Sequence, residues 1–123
     1  MLAAGSGSRL HGTRPPKILL EFGGKSLLAR HIDNLQLYGI KQLSLGVGYR
    51  QPLINQAIGY LGAEAFVKLT HNKDFLEGNI VTLWKMRDQL CCGEAVLLMD
   101  GDVLYDDRIL GRLLNSGHEN CLL

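Results

Sequence analysis

Two stretches of this 123-residue chain have the residue types and spacing to do chemistry. The first is Leu2-Ala3-Ala4-Gly5-Ser6-Gly7-Ser8-Arg9-Leu10, with Arg14-Pro15-Pro16-Lys17 downstream. An apolar start runs into alternating Gly and Ser, and then into spaced cations. Small residues let the main chain fold tightly and bring several N–H groups toward one point, which suits an anion. Arg9 adds a planar fork of donors and Lys17 a compact ammonium. The ligand these parts describe is a polyphosphate. The second stretch, Asp100-Gly101-Asp102, sets two carboxylates at alternate positions directly after the apolar run Ala95-Val96-Leu97-Leu98-Met99. Hard oxygen donors suit Mg²⁺, which takes one or two carboxylates beside substrate phosphates. The same tripeptide is also ordinary turn chemistry, and taken alone it leaves both readings open.

The glycine loop is neither of the two best-known phosphate loops. Ser8, Arg9 and Leu10 stand where a dinucleotide fingerprint would place its third glycine, which argues against a Rossmann-type dinucleotide binder. No Gly-Lys-Ser/Thr follows at Walker A spacing. A third segment, His71-Asn72-Lys73-Asp74-Phe75-Leu76-Glu77-Gly78-Asn79-Ile80, offers main-chain groups and a side-chain amide with which to read a nucleobase. Gly78 and Asn79 are its candidates, against an ordinary helix start with Asn79 as the cap. Tyr49 and Arg50 are placed beside the site or in plain packing.

The elements that must position these residues follow from periodicity. Met1 to Ala4 reads as the end of a buried strand. Ile18-Leu19-Leu20 and Phe22 form a short apolar segment before a Gly23-Gly24 turn. Leu27, Leu28, Ile32 and Leu35 recur at helical spacing, with Ser26 as cap and Gly39 as stop. Leu43, Leu45 and Val47 alternate, which predicts a strand near 42–47. Pro52 opens a second helix closed by Gly62, and Phe66 to Leu69 is another short strand. Ile80, Leu83, Trp84, Arg87 and Leu90 mark a third helix. Ala95 to Met99 reads as a strand buried on both faces. Asp106 and Asp107 cap a last helix near 108–115, and Cys121-Leu122-Leu123 begins another strand. Strands alternating with helices predict an α/β fold, a mostly parallel sheet with helices on both faces. Both chemical stretches then follow strands, so they fall on the same carboxyl edge, where such sheets bind ligands.

Composition narrows the function class. A hydrophobic fraction of 46% with 20% charged residues is that of a globular chain rather than a disordered one. A net charge of +1 gives no electrostatic case for nucleic acid or an anionic membrane. No apolar run approaches the ~18 residues of a membrane span. Three cysteines, Cys91, Cys92 and Cys121, make a poor disulfide framework and lack zinc spacing. They read as buried or semi-buried reduced thiols of a cytoplasmic protein. The histidines show no helical pairing for a transition metal.

The glycine loop with Pro16-Lys17 resembles the signature of the nucleotidyltransferases that make nucleoside-diphosphate sugars and alcohols. The resemblance continues through Phe22-Gly23-Gly24-Lys25-Ser26-Leu27-Leu28, Tyr38-Gly39-Ile40, Gly48-Tyr49-Arg50 and Leu97-Leu98-Met99-Asp100-Gly101-Asp102. Asn79-Ile80-Val81-Thr82-Leu83 is similar to a segment of the phosphocholine cytidylyltransferase-like branch, with Thr82 in place of Ser. The resemblance implies a Rossmann-like fold and nucleotidyl transfer from a nucleoside triphosphate to a phosphomonoester, with pyrophosphate leaving. It leans toward CTP and a phospho-alcohol, with sugar phosphates open. By resemblance, Ala3, Ala4, Gly5, Ser6, Gly7, Ser8, Gly78, Asn79 and Asp100 border the nucleotide. Arg9 and Lys17 are catalytic, and Asp102 holds Mg²⁺. Family members carry a fuller strand before the loop, and a second metal carboxylate and acceptor pocket in a C-terminal half. The expectation is therefore a chain truncated at both ends, residues 1–123 being the N-terminal nucleotide-binding part of the domain. A nucleotide-binding remnant without turnover is the alternative.

Overall fold

The computed structural model describes residues 1–6 and 15–121. A short strand, β1 (Leu2–Ala3), leads toward the glycine loop. Lys17–Leu19 form a 3-10 turn, followed by the hairpin of β2 (Glu21–Phe22) and β3 (Lys25–Ser26). Helix α1 (Leu27–Leu37) starts where Ser26 Oγ accepts from the Ala29 amide at 3.2 Å, satisfying one orphan donor of its first turn. It stops at Tyr38 before Gly39. Strand β4 (Leu43–Val47) follows, then α2 (Gln51–Tyr60), with Pro52 in a first turn that needs no donor from it. Strand β5 (Val67–His71) leads to a 3-10 turn at Phe75–Glu77 and to helices α3 (Asn79–Lys85) and α4 (Arg87–Leu90). The last element is α5 (Asp107–Leu114), where the Asp106 carboxylate accepts from the Arg108 amide at 3.0 Å.

The main sheet has the order β1-β4-β5 and is parallel throughout. Leu2 pairs with Gly46, and five successive pairs run from Leu43–Val67 to Val47–His71. On the other side of β1, the Leu2 amide donates to Met99 O at 2.9 Å and the Gly101 amide to Leu2 O at 2.8 Å. The chain thus leaves β1 to one side first and returns to its other side later. Such a reversal opens a crevice at the carboxyl ends of the strands.

Strand alternation sorts the faces. Leu43, Leu45 and Val47 join Leu28, Ile32 and Leu35 of α1 and Ile54 and Ile58 of α2 in one core. Gly46 faces the opposite way. A Cβ there would come within 2.6 Å of both Met86 Sδ and Thr82 Cγ2, so bare main chain lets α3 rest directly on the sheet. Helices therefore cover both faces, as the alternation of elements predicted.

Several expectations change. Ala95 to Met99 is not a strand buried on both faces. It is extended, joined to β1 only at the Leu2–Asp100 bridge, with Val96 and Leu98 exposed and Leu97 and Met99 turned to the core. An unbroken apolar run therefore behaves here as a one-faced edge segment. The third helix breaks at Met86, and its apolar pattern misleads: Ile80 and Trp84 are exposed while Thr82 and Met86 are buried. The apolar segment 18–22 is a 3-10 turn plus half a hairpin. The strand expected at 66–69 lies at Val67–His71. All three cysteines are exposed, not buried. Leu122 and Leu123, expected to begin a strand, lie outside the described residues.

Candidate active site

Lys17 reaches the carboxyl edge because its neighbours are anchored. Pro16 and Ile18 are buried, and the Leu19 amide donates to Pro16 O at 2.8 Å, closing the turn from which the Lys17 side chain projects. The acidic loop arrives from the other direction. Its Gly101 sits in contact with β1 and the 3-10 turn: a Cβ would meet Ile18 Cδ1 at 3.0 Å, Leu2 O at 3.1 Å and Ala3 Cβ at 3.2 Å. Those contacts are tighter than a Cβ ordinarily makes, so glycine suits this close approach. The result is that Lys17 Nζ donates to Asp102 Oδ2 at 2.6 Å across 85 residues of sequence.

Ala3, Ala4, Gly5, Lys17, Asn79, Asp100 and Asp102 line one cavity of about 80 Å³. Both sequence stretches, and the edge of the third segment, therefore meet at one place. Ser6 is half-buried beside it and does not line it, nor does Gly78. Gly7, Ser8 and Arg9 lie outside the described residues. Asn79 is not the cap of its helix: Gly78 holds that position at φ 105°, with no side-chain cap bond. The amide side chain is thus not committed to capping. Tyr49 packs edge-on to Phe75, and Arg50 lies over the Tyr49 ring, which is the packing reading.

Two positioning groups escaped the sequence reading. Asn72 is fully buried; its Nδ2 donates to Thr82 Oγ1 at 2.9 Å, and its Oδ1 accepts from the Asp74 amide at 2.9 Å. This clasp ties the loop before Asn79 to α3. Lys85 adds an ion pair to Asp74 at 2.6 Å, and its hydrogen bond and charge hold the Asp74 carboxyl below its ordinary value. The second group is His31 of α1, which is 2% exposed, with Nε2 3.3 Å from Gly101 O. A carbonyl only accepts, so Nε2 carries the proton. Burial lowers the imidazole pKa, partly opposed by the bond to Gly101, which leaves the ring neutral at neutral pH. The signal for both was weak in sequence, because a polar residue inside a loop or a helical face reads as solvated.

The two larger cavities, about 410 and 290 Å³, flank Ala95–Met99 and are lined mainly by apolar side chains. Neither is lined by Lys17 or Asp102, although the second shares Asp100 with the small polar cavity, where Lys17, Asp100 and Asp102 converge. Among the described residues, no group of three or more His, Cys, Asp or Glu stands ready to hold a metal, and no helix is long and apolar enough to cross a membrane.

The pattern of the MobA-like NTP transferase domain matches residues 1–121. The mannose-1-phosphate guanylyltransferase catalytic subunit beta of Dictyostelium discoideum is 28% identical over 112 residues, 86% of this chain and 30% of that protein. The CMP-5'-(3-aminopropyl)phosphonate synthase of Streptomyces rubellomurinus is 30% identical over 116 residues, 92% of this chain and 18% of that protein. The solved CTP:phosphocholine cytidylyltransferase of Streptococcus pneumoniae superposes with a TM-score of 0.63 at 28% identity, covering 72% of this chain and 39% of that one. The chain thus spans well under half the length of each of these relatives.

Proposed function

The chain belongs to the MobA-like NTP transferase domain family, and from that premise we propose that it transfers a nucleotidyl group from a nucleoside triphosphate to a phosphomonoester. The observation that carries this reading is the Lys17–Asp102 contact of 2.6 Å in a cavity also lined by Asn79 and Asp100. A phosphate oxygen of the acceptor attacks the α-phosphorus in line, and pyrophosphate leaves. The protein forms no covalent bond, so positioning and charge neutralisation do the work.

Each residue has a role its chemistry supports. The Lys17 ammonium meets the α-phosphate oxygens as they gather charge. Main-chain donors of the Gly5–Ser8 loop cradle the outer phosphates, and Arg9 neutralises the departing pyrophosphate. Asn79 and Gly78 face the base. The donor set fits Mg²⁺: Asp100 and Asp102 carry hard oxygens, and Asp102 already holds a cation, the Lys17 ammonium. When bound at Asp102, Mg²⁺ would neutralise and align phosphate oxygens. The ion pair is no barrier to that exchange. Its side chains are 36% and 41% exposed, so it is worth at most about 1 kcal/mol and opens cheaply.

For the base we assign cytidine, supported by two relatives whose names carry CMP or CTP. GTP is the second reading, favoured by the guanylyltransferase relative. Pyrophosphate release measured with ATP, CTP, GTP and UTP, each with phosphocholine or a sugar phosphate, separates them. CTP-dependent release is expected, and Lys17→Ala should lower turnover by about 10²–10³-fold. Wild-type turnover in that variant overturns the role of Lys17. Tight nucleotide binding with no release from any combination makes the chain a nucleotide binder instead.

A further inference from the structure

We infer that His31 is a positioning residue for the acidic loop: from α1 it holds the Gly101 carbonyl and so fixes where the Asp102 carboxylate meets the phosphates. The inference rests on the reading of Asp102 and Lys17 given above.

Gly101 is held at both ends. Its amide donates to Leu2 O at 2.8 Å, and its carbonyl lies 3.3 Å from His31 Nε2. That carbonyl belongs to the planar peptide unit joining Gly101 to Asp102. Holding its oxygen therefore fixes the rotation on which the Asp102 side chain rides. The constraint matters because the tight contacts around position 101 favour glycine, and glycine is the residue most free to rotate. His31 itself is fixed, with its ring 5.5 Å from that of Tyr105 and almost no exposed surface. An apolar side chain would fill this space at lower desolvation cost. The buried imidazole offsets that cost with the bond it makes to Gly101.

The test compares His31→Leu, which keeps volume and loses the donor, with His31→Gln, which keeps a donor. The first readout needs no turnover: hydrogen exchange of the Gly101 amide. It should quicken in His31→Leu and return toward wild type in His31→Gln, with the Leu45 amide unchanged. The second is the Mg²⁺ concentration giving half-maximal thermal stabilisation by CTP, expected to rise about 10–100-fold in His31→Leu, as for loss of an outer-shell partner. Turnover should fall there with the KM for CTP held, and His31→Gln should restore it. If His31→Leu does not fold, His31→Met, also without a donor and more adaptable, takes its place. Wild-type exchange at Gly101 in the donor-free variant overturns the inference. So does an unchanged Mg²⁺ requirement. Should wild type show no stabilisation by CTP with Mg²⁺, the functional reading falls on its own, and exchange at Gly101 upholds or overturns the hold by His31.

Discussion

The two sides of β1 are built differently. Toward β4 and β5 the sheet runs in unbroken register, backed by α1 and α2, with Leu45, Val47 and Ile54 wholly buried. Toward Ala95–Met99 there is a single bridge and an apolar run that leaves Leu98 half-exposed. The chemistry sits across the boundary, with Lys17 supported by the tight side and Asp102 carried in by the loose one. Fold and site therefore need not share their supports. Bulk burial holds the first, and a few directed polar bonds hold the acidic half of the second.

That contrast can be broken in order of expected effect. Leu45→Ala should cost about 2–5 kcal/mol in urea unfolding, since it opens a cavity in the dense half. Asn72→Ala should follow at about 1–3 kcal/mol, because it strands the Thr82 hydroxyl and the Asp74 amide. It should also weaken nucleotide binding, read by thermal shift. Next comes pH. The His31 pKa is lowered in the folded state, so the unfolded chain binds more protons below its ordinary value of 6.5. The associated stability is complete above pH 6.5 and is lost as pH falls from there toward the folded value. Melting curves from pH 8 to 5 should show that loss in wild type and much less of it in His31→Gln. Smallest of all, Leu98→Ser should change stability by no more than about 0.5 kcal/mol. If Leu98→Ser cost as much as Leu45→Ala, the two sides would not differ as described.

How much of this was legible depends on how far apart the interacting groups lie in sequence. Helix α1 was readable to its ends because Ser26, the Leu28–Ile32–Leu35 period and Gly39 are all local signals. The meeting of the glycine loop with Asp100 and Asp102 followed from the parallel alternation of elements, which forces both onto one edge. Ala95–Met99 departs from its pattern because an apolar run records side-chain character but not which neighbours are present. The third helix failed for a related reason: Gly46 draws Thr82 and Met86 inward and leaves Trp84 outside against Arg87. His31 and Gly101, separated by 70 residues, carry no pattern that joins them.

Gly46 has one further effect, on the far wall of the cleft. Thr82 and Met86 rest on its missing side chain, so the height of α3 above the sheet is set by the thickness of a main chain alone. Any larger residue would lift that helix and carry Asn79, at its first turn, away from Asp100. The gauge of the mouth between Asn79 and Asp100 is cut from underneath by an atom that is absent.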